Sequence, residues 1–586
     1  MDNQRKLNDI IFNLTDNAKL YFAVAVVFLI LSFSMNVSAA NGDFVNLNVD
    51  QNFDLSERSQ VSAVLIKTTP SLYFYVEKNW WEPQVPAKKN EILNNLDNLS
   101  FEFRSKIYPI LTSVFGSEWK PGVDGDDKIT IFFHSMKENA SGYFRSADEY
   151  IELQVPDSNE REMLYISVNH IAESQLKIFV AHELVHLISF NQKDKIQAVQ
   201  EEVWLNEARA DYALTALGYD NSYEGSNLQK RVKDFLNSPS DSLTEWQETK
   251  YDYAAISVFF HYLVDQYGIN ILTDSLKSKL IGISSINEIL LKNGYKENFQ
   301  QIFTDWTITT VINDCSLSSK YCYLNQNLKN LRINPTINFL PLLGNSSLSV
   351  TNITKNWSGN WQKIIGGNGD LKLEFSSLAG LNFQVPYIIY SKDNSYSVNF
   401  LKLDKNQKGQ INIKNFGDKY NSLIIIPSLQ TKTSGFDGSE LTYPYTFTVS
   451  ITGAVQVEDQ ILIEKLLVQI DSLKKQISAI QSGNPSSGSG QAKGSNLCLQ
   501  INSNLYFGIK NNNEVRCLQQ FLKNQGKEIY LEGLVTGNFG NLTRSAVINF
   551  QEKYKNEILI PIGLQNGTGF VGTLTKLKIN QILNVR

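Results

Sequence analysis

The chain has 586 residues, too many for one hydrophobic core, and a prior of about 150 residues per domain gives three or four domains. Its 42% hydrophobic and 11% aromatic content belong to folded protein and exclude a disordered chain. A net charge of -5, with no basic patch interleaved with aromatics, gives no electrostatic reason to expect nucleic acid as a partner.

In chain order, Arg5, Lys6 and Lys19 precede the apolar run YFAVAVVFLILSFSM, and the small residues VSAA follow. This is the pattern of a signal peptide over residues 1–39, with cleavage after Ala39 or Ala40. The run is short against the roughly 20 residues of a bilayer-spanning helix, so membrane attachment is expected only through an uncleaved signal anchor. A secreted, extracellular protein associated with a bacterial cell envelope is the expectation. Four cysteines in an exported chain predict two local disulfides, Cys315 with Cys322 and Cys498 with Cys517. None has Cys-x-x-Cys spacing, which argues against a thiolate zinc site.

Residues 40–335 read as a strand-bearing half followed by a helical half. VSAVLIKTT, LYFYVEK, DKITIFF, EYIELQV and MLYISV predict strands, and KKNEILNNLDNLSFEFRSKIYPILTSVFG predicts helix. Residues 172–192, 200–217 and 254–267 are the clearest helices beyond. Residues 340–453 switch to short alternating runs at regular spacing, from WQKIIGG to YTFTVSIT, which predict an antiparallel β-sandwich with an accessory binding or spacing role. Residues 455–482 carry a heptad, with Ile463, Ile470 and Ile477 at a and Leu466, Leu473 and Ile480 at d. A homodimer through this segment and a single helical stalk are both compatible with it. Residues 483–495 form a Gly/Ser-rich linker, and residues 496–586 a small three-helix module in which TGNFGNLT recurs as TGFVGTLT.

The chemistry lies in AHELVH at 181–186, on a predicted helix. His182 and His186 are one turn apart on one face, about 6 Å from each other. Both can reach one Zn2+ at about 2.0–2.1 Å. Glu183 is rotated by about 100° from His182, which suits a general base acting on water beside the metal. The place of a third His, six residues on, holds Gln192, so an acid is needed. The stretch EEVWLNEARADY at 201–212 supplies it: Glu207 lies 21 positions after His186 on the next predicted helix. Asp211, one turn later on the same face, can accept the second N–H of a liganding His and fix its tautomer. Glu201 and Glu202 remain alternative ligands, although acids at a helix start also suit the helix dipole.

HELVH followed by WLNEARAD resembles the gluzincin metallopeptidases, particularly the hyicolysin-like secreted bacterial peptidases, over roughly residues 45–335. The resemblance implies an α+β catalytic domain that binds zinc and hydrolyses peptide bonds, with Glu207 as third ligand and Asp211 holding a zinc-binding His. In the aminopeptidase-like branch a Tyr stands in Y-x-K-G-A; the similar stretch here is Y-D-Y-A-A. Tyr251 takes that place, but the Lys-Gly pair is replaced by Tyr253 and Ala254. Both tyrosines therefore remain candidates for stabilising the oxyanion, with His261 as a third. No Gly-x-Met-Glu-Asn strand is present; SGYFRSADEY is the nearest Gly-containing segment. The cluster Asp124, Asp126 and Asp127 lacks the Glu of an EF-hand loop and reads as a polar turn.

EVRCLQQFL with VTGNFGNLTRSAVINFQ is similar to the peptidoglycan-binding domain family. The matching positions are Val515, Leu518, Gln519, Leu522, Thr536, Gly537, Phe539, Gly540, Thr543, Ala546, Val547, Phe550 and Gln551. Together these readings predict an exported zinc metallopeptidase that acts on protein or peptide and is tethered to the envelope through peptidoglycan. The alternatives are a peptidoglycan cross-link endopeptidase using the same site and a non-catalytic cell-wall adhesin. Endopeptidase and aminopeptidase specificity both stay open.

Overall fold

The structure is a computed structural model that describes residues 41–342, 344–436, 438–453, 500–531 and 533–584. The expected signal peptide, the heptad segment 455–482, the linker 483–495 and Cys498 lie outside the described residues. Among the described residues no helix is long and apolar enough to cross a membrane.

The first half builds one mixed sheet. Its strands are β1 (Phe44–Asn48), β2 (Gln60–Thr68), β3 (Leu72–Glu77), β4 (Ile129–His134), β5 (Gly142–Tyr143) and β6 (Met163–Ser167), in the order β1-β2-β3-β4-β6-β5. β3, β4 and β6 run parallel, and β5 closes one edge antiparallel to β6. The parallel step from β3 to β4 needs a crossover, supplied by α1 (Pro86–Glu102) and α2 (Tyr108–Phe115). LYFYVE, ITIFFH and MLYIS are buried at every position, which explains why they show no polar–apolar alternation. On one face Phe74, Val76, Ile131 and Phe133 pack with Ile92, Leu96, Leu111 and Phe115 and with Val180 and Leu184 of the following helix. Each such side chain removed from water contributes about 1.5–3 kcal/mol before the entropy of ordering it. The helix that carries AHELVH is thus laid on the sheet by its apolar residues.

EYIELQV, expected as a strand, is not one. A 3-10 turn at Ser146–Glu149 and irregular turns occupy it, and the edge strand is Gly142–Tyr143 instead. Side chains satisfy the backbone locally here. Asp148 accepts from Asn159 N (2.9 Å), Ser158 Oγ donates to Tyr150 O (2.6 Å) and Glu160 accepts from Glu152 N (2.6 Å). Such bonds compete with a β-ladder for the same groups.

Glu149, at the end of that turn, is buried with neither carboxylate oxygen in a hydrogen bond. Burial raises its pKa to about 9, and the Glu162 carboxylate adds to the effect. Burial likewise raises Glu162, to about 7. Lys195, whose Nζ donates to Glu149 O at 2.7 Å, opposes both shifts. An unfolded glutamate ionises near 4.5, so above that pH the unfolded chain releases protons that the folded chain keeps. Stability should therefore fall as pH rises from about 5 through 7 to 9. Thermal melts across that range should show the decline, and Glu149→Gln should flatten it; an unchanged slope in the variant would refute this origin.

The second half is helical: α3 (Leu176–Ser189), α4 (Val203–Ala216), α5 (Asn227–Asn237), α6 (Lys250–Tyr267), α7 (Asn270–Leu276), α8 (Gly282–Lys292) and α9 (Phe299–Ile312). α3 runs on into a π-helical turn, Phe190–Lys195. The buried Lys193 of that turn donates to Ser275 O and Ser278 O, both at 2.9 Å, which anchors the end of α3. The expected Cys315–Cys322 disulfide is present.

The compact unit containing this half also takes in two loops of the β-rich region, Thr354–Gly359 and Ser428–Thr442. The β-rich region itself comprises β7 (Thr336–Leu340), β8 (Ser346–Thr354), β9 (Gln362–Gly366), β10 (Gly369–Ser377), β11 (Phe383–Gln384), β12 (Pro386–Ser391), β13 (Tyr396–Phe400), β14 (Lys408–Phe416), β15 (Tyr420–Ile425), β16 (Ser428–Leu429) and β17 (Tyr443–Thr452). Among the described residues the strand runs β14-β10-β17-β8 and β13-β12-β15-β9-β7 are joined through the residue pair Phe416↔Tyr420. The two runs thereby form a single nine-stranded sheet. β7 pairs parallel with β9, a departure from the all-antiparallel expectation.

The C-terminal module stands on α10 (Asn513–Asn524), α11 (Asn541–Lys553) and α12 (Thr573–Asn584). The sequence echo is a structural one. Gln519 accepts from Thr536 N and Gly537 N, both at 2.8 Å, and donates to Asn538 O and Thr543 Oγ1. Gln551 repeats the clasp with Thr568 N, Gly569 N, Phe570 O and Thr575 Oγ1. Gly537 (φ 79°) and Gly569 (φ 74°) occupy the left-handed region that each loop requires.

Candidate metal centre

α3 and α4 pack side by side and bring three donors together. His182 Nε2 lies 3.2 Å from Glu207 Oε2, His186 Nε2 lies 3.4 Å from Glu207 Oε1, and the two Nε2 atoms are 3.2 Å apart. Among the described residues this is the one group of three or more His, Cys, Asp or Glu side chains whose ligand atoms fall within 4.8 Å of one another. Two imidazole nitrogens at that distance need a proton or a cation between their lone pairs. A tetrahedron with metal–nitrogen bonds of about 2.0–2.1 Å has edges of about 3.3–3.4 Å, so the residues present fit a zinc ion.

The electrostatics suit a cation. Burial opposes ionisation of Glu207, but the His186 and His182 imidazoles outweigh it and hold the carboxyl well below the usual range. Burial also opposes protonation of His186, yet Glu207 raises its pKa to about 9. Glu183 is buried beside the triad, and burial raises its pKa despite the neighbouring imidazoles.

Gly142 of β5 abuts Glu183. A Cβ there would stand 2.8 Å from Tyr165 O and 3.1 Å from Glu183 Oε1, so the edge strand approaches the acid only because that position lacks a side chain. SGYFRSADEY therefore does contribute to the site, through backbone rather than through an acid.

Asp211 is fully buried one turn beyond Glu207. Its Oδ1 accepts from Arg231 Nε (2.9 Å) and Asn227 Nδ2 (3.1 Å). Burial would raise its pKa, but Arg231 and then His182 lower it. Arg231 Nε and Nη2 both meet Asp211 Oδ1, at 2.9 Å. Arg231 belongs to α5 and was not singled out by any sequence motif, because a partner twenty positions away on another helix leaves no local pattern.

Glu201 and Glu202 are engaged elsewhere. Glu201 accepts from Gly282 N (2.7 Å) and Arg209 Nη2 (2.9 Å). Glu202 accepts from Trp204 Nε1 (2.7 Å) and Gly435 N (2.8 Å). Neither joins the triad, and Glu202, the N-cap of α4, makes no side-chain capping bond. Their role is to tie the start of α4 to neighbouring segments, not to complement a dipole.

The tyrosines separate clearly. α6 opens with a capping box: Thr249 Oγ1 accepts from Asp252 N, and Asp252 Oδ2 accepts from Thr249 N at 2.7 Å. Tyr253 then sits under the Arg231 guanidinium (4.6 Å) with Trp246 edge-on (4.8 Å). Burial raises its phenol pKa, and the Glu207 and Glu183 carboxylates add to the rise. Tyr251 has Lys250 Nζ over its ring at 5.1 Å. His261 is a satisfied core histidine, with Nδ1 at Ser257 O (2.7 Å) and Nε2 at Thr215 Oγ1 (2.9 Å). The Asp124–Asp127 stretch forms turns in which Asp124 accepts from Asp126 N and Asp126 from Lys128 N, as a polar turn should.

Residues 511–557 match the family model of a peptidoglycan binding domain. No curated protein matches the chain. Among solved structures, the periplasmic inhibitor of g-type lysozyme from Aeromonas hydrophila is 12% identical, with a TM-score of 0.14 over 20% of this chain and 100% of its own. The Yersinia pseudotuberculosis-derived mitogen is 10% identical, with a TM-score of 0.13 over 20% of this chain and 92% of its own. The pre-peptidase C-terminal domain of a Bacillus anthracis collagenase is 7% identical, with a TM-score of 0.13 over 20% of this chain and 96% of its own.

Proposed function

We propose that the chain is an exported zinc-dependent metallopeptidase held at the bacterial cell envelope by its C-terminal module. The observation that carries this reading is the triad of donors separated by 3.2–3.4 Å with the buried Glu183 alongside. His182, His186 and Glu207 would hold the ion. Bound there, zinc would polarise the scissile carbonyl and make a water acidic enough to act as nucleophile near neutral pH.

The remaining work falls to the chain. Glu183 takes a proton from the attacking water and passes it to the leaving amine nitrogen, one carboxylate serving as base and then acid. Tyr253 donates its O–H to the oxygen that gains charge in the tetrahedral transition state. Arg231, itself held by Asp211, covers the Tyr253 ring and Trp246 meets it edge-on, so two side chains restrain the ring. Among the described residues β5 is the outermost strand of its sheet and lies beside Glu183, where an extended peptide can add as a further strand.

The matched peptidoglycan binding domain favours a second substrate reading, in which the peptide cross-links of the wall are cut by the same residues. Zinc-loaded full-length protein given casein and purified sacculi separately distinguishes them. Casein cleavage supports a general peptidase; release of wall peptides without casein cleavage supports the cross-link endopeptidase. Stoichiometric zinc with neither activity would contradict both.

A further inference from the structure

Tyr253 and Trp246 meet across the α5–α6 connection, whose end is held by Asp252 of α6, which accepts from Gln247 N (3.2 Å) and Thr249 N (2.7 Å). Residues 242–248 are held by the two loops that come from the β-rich region. Ser242 Oγ donates to Asn356 O (2.7 Å) and Leu243 N to Trp357 O (2.9 Å). Trp246 N points to Gly438 O (3.4 Å), and Gln247 Nε2 donates to Ser439 Oγ (2.9 Å). Glu245 is the hub. Its Oε1 accepts from Glu440 N (2.8 Å) and Gln247 Nε2 (3.0 Å), while Oε2 pairs with Lys355 Nζ. The Glu245 side chain is 2% exposed, so its charge depends on Lys355 for compensation.

The two loops are themselves braced. Asn356 Oδ1 accepts from Thr431 N and Lys432 N, both at 2.9 Å. The fully buried Trp357 donates to Lys432 O (2.7 Å) and packs on Phe299 (5.0 Å) and Phe303 (5.4 Å) of α9. The longer loop also reaches α4, where Gly435 N meets Glu202, five residues before Glu207. One pair of loops therefore touches the start of the helix carrying the third donor and the segment leading to the tyrosine.

We infer that Glu245 and Lys355 are positioning residues for the hydrolytic site: through them the loops Thr354–Gly359 and Ser428–Thr442, which belong to the same compact unit as the helices, hold Trp246 against Tyr253. This rests on the metallopeptidase reading only for the activity it would modulate. The placement of residues 242–255 by the loops is a separate claim.

The experiment uses full-length Glu245→Ala, Lys355→Met and Lys355→Arg, each assayed for zinc, kcat, KM and amide hydrogen exchange. Glu245→Ala and Lys355→Met should lose between about 10- and 100-fold in kcat, the scale of a misplaced catalytic group, with zinc intact and KM little changed. Lys355→Arg should recover most of the loss. In a Tyr253→Phe background Glu245→Ala should add little, because the group it positions is already gone. Exchange should quicken at residues 246–255 while residues 176–189 stay protected. Full kcat in Glu245→Ala, or the same loss in both backgrounds, would overturn the positioning role. If the wild-type protein hydrolyses nothing, the metallopeptidase reading fails and the exchange decides alone: unchanged protection at 246–255 in Glu245→Ala overturns the inference, and selective loss there upholds the placement.

Discussion

Glu183→Gln should retain one zinc per chain and lose between about 10²- and 10⁴-fold in peptide hydrolysis, the range that general acid–base catalysis contributes. The helix explains the separation of roles. His182 and His186 are one turn apart and converge on Glu207, whereas Glu183 leaves the helix about 100° away and is absent from the set of mutually close donors. An amide is close to isosteric with the carboxylate, so packing against the backbone of Gly142 should survive. What the amide cannot do is accept the proton of water. Metal analysis beside a peptide-cleavage assay checks both halves; loss of zinc together with activity would make Glu183 a ligand instead.

Glu207→Gln should behave in the opposite order. Its carboxylate meets both imidazoles, one oxygen each, and is the anion of the triad. A neutral amide would leave a cation held by two imidazoles alone. Zinc affinity should drop well beyond the roughly 10–100-fold that follows loss of a residue merely orienting a ligand. Titration against a competing chelator measures it, and activity should return in part at high zinc. Unchanged affinity would remove Glu207 from the ligand set. The two variants thus test binding and proton transfer separately.

The triad was legible in sequence because its logic is local. Two imidazoles one turn apart, with an acid on the following helix, are fixed by helical periodicity and a short return. The module at the C-terminus was legible for a similar reason: Gln519 and Gln551 each clasp a Thr-Gly loop, and the repeat of the loop is written in the chain. Strand positions in the buried sheet were also readable, from runs such as ITIFFH.

What could not be read depended on partners distant in sequence. Glu201 and Glu202 looked like helix-start acids, yet their partners are Arg209 and Gly282 for one and Trp204 and Gly435 for the other. Asp211 has the spacing to hold an imidazole, and its Arg231 partner, on another helix, left no mark in the local pattern. Tyr251 and Tyr253 could not be told apart by spacing, and the contacts of Tyr253, with Trp246 and Arg231, come from other segments. EYIELQV had strand propensity, and nearby Asp, Ser and Glu side chains took its backbone partners. The β-rich region read as a separate module because alternation reports strands; it says nothing of where the connecting loops dock.

The central claim is that His182, His186 and Glu207 hold one zinc ion. Zinc K-edge X-ray absorption on the full-length protein tests it most directly. One zinc per chain in a four-coordinate nitrogen and oxygen shell, with the outer scattering of two imidazoles and bond lengths of about 2.0–2.1 Å, is the predicted result. No stoichiometric zinc, or a shell with one imidazole or with sulfur, would contradict it.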